Sequence, residues 1–517
     1  MKRVEPEHWE KHLAKLPLRQ GGFSQELMQK VKDRVEAGPP QRRQSRWLWW
    51  SPAAALVVAA AIGVATQTDA LTDAVSKLSK VRQPASLEAM DPDKKITLKV
   101  GNIDDISFAS RYGTAFMARY PNITLQTDAP GGLALWSSKA RVELEEWLAQ
   151  EKPDVLILTP DQYERLAKSG KLYALDNAIK QDGFDLQNIH AGVVEQLRSP
   201  GGGTLYGLSP QYEQLALYYN KNMFDRYNVS YPKNGMSWDE LLKLAGAFAA
   251  HGKAKEKLYG LTVPAGMSPF ELVQMAGKAR GLRLTDADGR RATIDTPQWK
   301  QLWGQALEAY RNGVIYQPPS ATSSTAAAEV ARSNPFISGQ AAMTLQSFSF
   351  THELTEARQQ HTLPWFTWQT VTEPTDPGKP GRSASFSLGA VYAVNADSSQ
   401  LRAAWELVKF VNSEESARTA LSASPSGFNP SRLPSVTSSG LTGTGKGLEA
   451  FYMLLPAETS RSVTEPPASF YRDVEQLALQ QSEAVLSGKK TLDAALQELQ
   501  VQGQQALTQG RNDMSKR

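Results

Sequence analysis

An α/β fold in two lobes is what this sequence predicts, and three observations carry the prediction. At 517 residues with 41% hydrophobic composition, the chain exceeds the size at which one core stops growing, roughly 250–300 residues. Between Lys95 and Asp176 strand-like and helix-like segments alternate, the order that builds a mostly parallel sheet. Within that stretch Val155-Leu156-Ile157-Leu158 is apolar at every position, as a strand covered on both faces should be.

The chain opens on a basic arm. Of 57 Lys and Arg against 53 Asp and Glu, eleven against six fall in residues 1–46, which leaves 46 against 47 for everything after them. The near-neutral body gives no electrostatic argument for a nucleic-acid partner. Within the arm, Leu27, Met28, Val31 and Val35 fall at helical spacing behind Ser24, an N-cap residue, and Gly38-Pro39-Pro40 stops the pattern. Two readings stay open for this arm: a plain cytoplasmic tail, or a helix that docks a regulator.

Residues 47–66 carry no charge and match the length of a membrane span. Trp47, Trp49 and Trp50 would sit at the interface, and Arg42, Arg43 and Arg46 just before them put the N-terminus in the cytoplasm and the main domain outside. A cleaved signal peptide competes with this single-pass anchor, but needs an n-region of 46 residues. Residues 67–94 follow as a juxtamembrane stalk. The absence of cysteine excludes disulfides, thiolate zinc sites, a cysteine nucleophile and a lipid anchor on cysteine.

The body begins at Ile96-Thr97-Leu98-Lys99-Val100, where Ile96, Leu98 and Val100 share one face of a strand. Helices are predicted over 107–120, 139–150 and 162–170, with strands at 123–127 and 155–158 between them. Ser209 to Asp225 then couples a Pro-containing loop to an aromatic strand, Ala216-Leu217-Tyr218-Tyr219-Asn220, and turns into a helix. Further on, Ser237 with Glu240 forms a capping box; a strand is predicted at 259–263 and a helix at 296–312.

These segments resemble, in order, the extracellular solute-binding proteins of the maltose-binding class. The resemblance rests on Phe116-Met117-Ala118-Arg119-Tyr120-Pro121-Asn122-Ile123, Lys152 to Leu158, Gly170-Lys171-Leu172-Tyr173-Ala174-Leu175-Asp176, Leu217-Tyr218-Tyr219-Asn220-Lys221, Trp238-Asp239-Glu240-Leu241, Phe336 to Met343, Ala403-Ala404-Trp405, and a closing Gly488-Lys489-Lys490-Thr491-Leu492-Asp493-Ala494-Ala495-Leu496. It covers residues 95–507. It implies a two-lobe periplasmic-binding-protein-like fold (type II) with three interlobe crossings, near Tyr212, Gly339 and Val391, preceded by the one transmembrane helix. The expected division is 95–211 with 340–391 for the first lobe, and 212–339 with 392–517 for the second.

The implied function is capture of a small polar solute, a saccharide, for the membrane subunits of an ABC importer. A transmembrane sensor that signals through the arm is the alternative. A glutamate that touches ligand in maltose-type relatives carries over, by its spacing from the Tyr-Asn-Lys element, to Glu213, and Tyr212 adjoins it. Phe348 stands where those relatives place a stacking aromatic; this chain has no tryptophan there, which departs from a maltodextrin site. Topology adds Asn102, Asp104 and Asp105 after the first strand, and Thr159 and Asp161 after the fully apolar one, because α/β sheets present ligands at the carboxyl ends of their strands. Trp136 is a loop aromatic that serves equally as platform or as core.

Enzyme-like strings fail on their chemistry. Gly440-Leu441-Thr442-Gly443-Thr444-Gly445-Lys446-Gly447 lacks the Ser/Thr that would hold magnesium, and His352-Glu353-Leu354-Thr355-Glu356 lacks a second histidine. Outside the arm only His190, His251, His352 and His361 occur, and no two have the spacing of helical metal ligands. No catalytic residue, metal or cofactor is expected.

Overall fold

The computed structural model describes residues 86–101, 108–128, 140–251, 257–264, 267–316, 334–359, 366–423, 429–432, 448–457 and 466–515. The basic arm, the 47–66 segment and most of the expected stalk lie outside the described residues. Among the described residues no helix is long and apolar enough to cross a membrane.

The first lobe takes the chain from β1 (Ile96–Gly101) through a π-helical turn (Ala109–Gly113) into α1 (Thr114–Arg119), then β2 (Ile123–Asp128), α2 (Ala140–Glu151), β3 (Val155–Leu158), α3 (Pro160–Lys168), α4 (Asp176–Gln181), α5 (Ala191–Arg198) and β4 (Gly207–Leu208). β1 pairs in parallel with β2 along its whole length and with β3 on its other edge. Ile96, Leu98 and Val100 are buried together, and β3 is buried at all four positions, as their apolar patterns require.

The end of the expected stalk belongs to this lobe. Leu87 is buried in its core; Gln181 Oε1 accepts from Leu87 N at 2.8 Å, and Gln181 Nε2 donates to Leu87 O at 2.7 Å. The boundary at residue 94 is corrected accordingly.

The second lobe follows as β5 (Gln211–Glu213), β6 (Ala216–Asn220), α6 (Lys221–Arg226), α7 (Trp238–Ala249), β7 (Tyr259–Thr262), α8 (Pro269–Ala279), α9 (Pro297–Arg311), β8 (Ala341–Gln346), α10 (Phe350–Gln359) and β9 (Trp368–Thr372). Its sheet runs β7-β8-β6-β9. Alternation along β6 serves both faces: Leu217 and Tyr219 enter one apolar cluster, Ala216 and Tyr218 another. The capping box at α7 forms as its sequence predicts, with the Ser237 hydroxyl accepting from Glu240 N and the Glu240 carboxylate from Ser237 N. Ser237→Ala should therefore lower stability by about 1 kcal/mol, read as a shift of the urea midpoint with unchanged slope.

The chain then runs through β10 (Arg382–Ser383), β11 (Ser387–Leu388), β12 (Val391–Val394), α11 (Leu401–Val411), α12 (Glu414–Ala423), β13 (Asn429–Pro430), a 3₁₀ turn (Leu448–Phe451), β14 (Leu455–Pro456), α13 (Ala468–Leu486) and α14 (Leu492–Ser515). β12 returns to the first sheet, between β3 and β4, antiparallel to both. α11 buries Trp405, Leu407 and Val408 in the first core, whereas Phe470, Val474 and Leu499 from α13 and α14 join the second.

The expected lobe division is corrected by these pairings. β8 and β9, from 340–391, lie in the second sheet, and α11, from 392–517, packs on the first. The crossings change with it. β5 is the central strand of a small antiparallel sheet, β11-β5-β13, so the chain passes between lobes near Tyr212, near Leu388 and near Asn429. Gly339, expected as a crossing, has a φ of 74° and makes the turn into β8 within the second lobe, a conformation glycine adopts without strain.

Candidate functional site

Where the crossing strands meet the second lobe, the structure encloses a cavity of about 680 Å³. Glu213 and Leu215, at the end of β5 and just beyond it, form one wall; Gln346 and Ser347 at the end of β8, and Ala384 and Ser385 before β11, form the next. α8 contributes Glu271, Gln274, Met275 and Lys278, followed by Leu282, Arg283, Leu284 and Thr285, and Tyr471 of α13 stands at the side. Tyr471 is 40% exposed, an aromatic ring that the core does not consume.

The two crossings at this wall are tied together by polar contacts. Ser385 Oγ accepts from Leu215 N at 2.9 Å. Glu373, wholly buried, accepts from Ser385 N at 3.3 Å and from the Ser383 hydroxyl. Burial raises the Glu373 carboxyl against those hydrogen bonds and against the charge of Lys278.

The charged groups of the cavity differ in how they are held. Glu271 is spent on the cap of α8, where its carboxylate accepts from Ser268 N at 2.7 Å. Glu213 is half-buried, and its carboxylate makes no hydrogen bond among the described residues; burial alone raises its pKa. Lys278 is open to the cavity yet surrounded by protein, and the loss of bulk water lowers its pKa while the Glu373 charge pulls the other way. The cavity thus offers an acceptor at one wall, donors on α8, amide groups from Gln274 and Gln346, and apolar surface from Leu215, Met275 and Leu284. Convergent polar groups on an apolar floor describe a site for a small hydrophilic molecule.

Of the residues singled out from sequence, Glu213 lines this cavity. Tyr212 does not: side chains alternate along a strand, so it faces the opposite side, fully buried, stacked on Phe386 at 4.9 Å and donating from its hydroxyl to Phe451 O at 2.8 Å. Thr159 is buried and caps α3, its hydroxyl accepting from Gln162 N, while Asp161 is exposed on the first turn of that helix. Phe348 is core, edge-on to Phe451 at 5.5 Å; its neighbour Ser347 reaches the cavity instead. None of these four positions lines the cavity. Asn102, Asp104, Asp105 and Trp136 lie outside the described residues.

Sequence reasoning passed over Gln274, Lys278 and Tyr471. The signal was present: Glu271, Gln274 and Lys278 repeat at helical spacing on an otherwise apolar helix, and Tyr471 follows the fully buried Phe470.

Two lobes joined by three crossing strands, with a polar cavity beside the crossings, define a ligand-capturing protein of hinged design. The chain belongs to the bacterial extracellular solute-binding proteins, a family that matches residues 111–441, and it is not an enzyme. Three solved structures share its α/β periplasmic-binding-protein-like fold. The sugar-binding protein MalE from Xanthomonas citri is 19% identical with a TM-score of 0.57, covering 81% of this chain and 100% of its own. A sugar transporter protein from Rhizobium etli in an open conformation is 21% identical with a TM-score of 0.55, over 79% of this chain and 98% of its own. A solute-binding protein from Agrobacterium vitis, with D-mannitol bound, is 17% identical with a TM-score of 0.51, over 80% and 99%.

Proposed function

We propose that this protein captures a saccharide or related polyol in the cavity beside its crossing strands and delivers it to the membrane subunits of an ABC importer. The observation that carries the reading is the Glu213 carboxylate, half-buried and without a hydrogen bond among the described residues, at the wall of a cavity of about 680 Å³. A ligand hydroxyl can donate to this carboxylate in place of the water that otherwise solvates it. Tyr471 gives a ring face for the C–H side of a sugar, and Gln274, Gln346 and Lys278 supply the remaining donors and acceptors. The Rhizobium, Xanthomonas and Agrobacterium proteins support the ligand class, since sugars or a sugar alcohol are what their descriptions name.

Delivery at a membrane fits residues 47–66, whose uncharged run with three preceding arginines we read as a single-pass anchor with the lobes outside. Solute contacts from both lobes would favour the closed arrangement.

Isothermal titration of the full chain against mono- and oligosaccharides and polyols tests the reading; binding of peptides or polyamines with no sugar response refutes it. Tyr471→Ala should weaken the best sugar about tenfold, or roughly 1.4 kcal/mol, in the same titration.

A further inference from the structure

A second cavity, of about 10 Å³, lies on the first-lobe side of the crossing strands. Pro210 and Gln211 border it from the first crossing, Ser431 and Arg432 from the third, and Asn412 from the end of α11. Two of its lining residues carry a polar atom with no hydrogen-bond partner among the described residues: Asn412 Oδ1 and Ser431 Oγ. Asn412 is 3% exposed and Ser431 1%. Each residue is otherwise fully committed. Asn412 Nδ2 donates to Val408 O at 2.8 Å, which fixes the amide with its oxygen turned away from that carbonyl. Ser431 N donates to Pro210 O at 2.8 Å, and Ser431 O accepts from His190 N at 2.8 Å, so only its hydroxyl remains.

The chemistry of the lining selects the occupant. Asn412 Oδ1 can only accept and disfavours an anion. The Arg432 guanidinium, 7% exposed and bound to Asn412 O and Asp185 O, disfavours a cation. What fits is neutral, donates and accepts, and occupies about one probe sphere, the minimum space for one water. We propose that this cavity is a built water site, in which one water donates to Asn412 Oδ1 and shares a hydrogen bond with Ser431 Oγ.

The site has a mechanical consequence. The water joins the third crossing to the end of α11, and Ser431 in turn holds Pro210 of the first crossing. Both crossings are thereby fastened to the first lobe. A water that satisfies buried groups is costly to remove.

A crystal structure of the full chain at a resolution that shows ordered waters tests the proposal. It should contain a peak within hydrogen-bond distance of both Asn412 Oδ1 and Ser431 Oγ. No peak, or a direct bond between the two groups, overturns the proposal. The second test is a double-mutant cycle in urea with Asn412→Leu and Ser431→Ala. Each single variant should lower the midpoint, and the double variant should lower it by less than the summed shifts, since both lose the same water. Additive shifts overturn the proposal. If a variant fails to fold, the wild-type crystal structure still decides.

Discussion

Asp182→Ala is expected to lower folding stability by about 2–3 kcal/mol, less than the cost of breaking one side of a fully buried ion pair because Arg402 and Lys409 are partly exposed. Asp182 caps the end of α4 and takes four hydrogen bonds from α11: Arg402 at 2.9 and 3.0 Å, Trp405 Nε1 at 3.0 Å and Lys409 Nζ at 2.6 Å. Glu406 adds a second carboxylate, bound by Arg402, by Lys409 and by the Tyr120 hydroxyl at 2.8 Å. Two cations thus serve two acids, and removing Asp182 leaves one cation in excess with its donors poorly placed. Burial alone would raise the Asp182 carboxyl; the hydrogen bonds from Arg402, Lys409 and Trp405, with the charge of Lys409, outweigh it and hold the pKa at about 2. A lowered native pKa stabilises the fold above the unfolded value near 3.8 and withdraws that support as the pH falls toward 2. Wild-type stability should therefore decline by about 2 kcal/mol through that window on account of this group, and the alanine variant should lack that component. Urea denaturation at a series of acidic pH values reads both effects. A variant within about 0.5 kcal/mol of wild type at neutral pH would refute the assignment.

The second large effect is on binding. Glu213→Gln should weaken the saccharide by about 10–100-fold, equivalent to roughly 1.5–3 kcal/mol for a hydrogen bond to a charged group. Folding should be unaffected, because the carboxylate has no partner among the described residues to lose. The pH dependence separates this role from a structural one. Burial raises the Glu213 pKa, so wild-type affinity should begin to fall at a higher pH than an ordinary glutamate would give, as the group protonates, while the glutamine variant should show a flat profile there. Titration calorimetry at several pH values measures it, and an unchanged affinity removes Glu213 from the site.

The elements were more legible than their partners. Ile96, Leu98 and Val100, the all-apolar β3 and the Ser237 capping box are local patterns, and the fold uses them as read. Which sheet a strand joins is a long-range matter. Ala341–Gln346 and Val391–Val394 are both short apolar strands, buried at nearly every position, and nothing within them says that one pairs with β6 and the other with β3. The third crossing escaped notice because β13 is two residues long and one of them is proline. In the site, the spacing that located Glu213 also suggested Tyr212, although strand alternation places adjacent residues on opposite faces. Phe348 packs in the core while its neighbour Ser347 reaches the cavity, a one-residue difference that the sequence pattern does not reveal. Lys278 and Tyr471 come to the site from helices far along the chain, so only tertiary structure unites them with Glu213.

The position of β12 between β3 and β4 bears on how the protein is made. During synthesis the strands up to Leu208 emerge first, but the strand that joins β4 to their sheet is almost two hundred residues away. Until Val391–Val394 leaves the ribosome, β3 presents an unpaired edge and β4 has no partner strand in this sheet, the kind of surface that recruits foreign strands. A nascent chain or a proteolytic fragment that stops short of Val391 should therefore aggregate or require a chaperone, even though all the other strands of the first sheet are present.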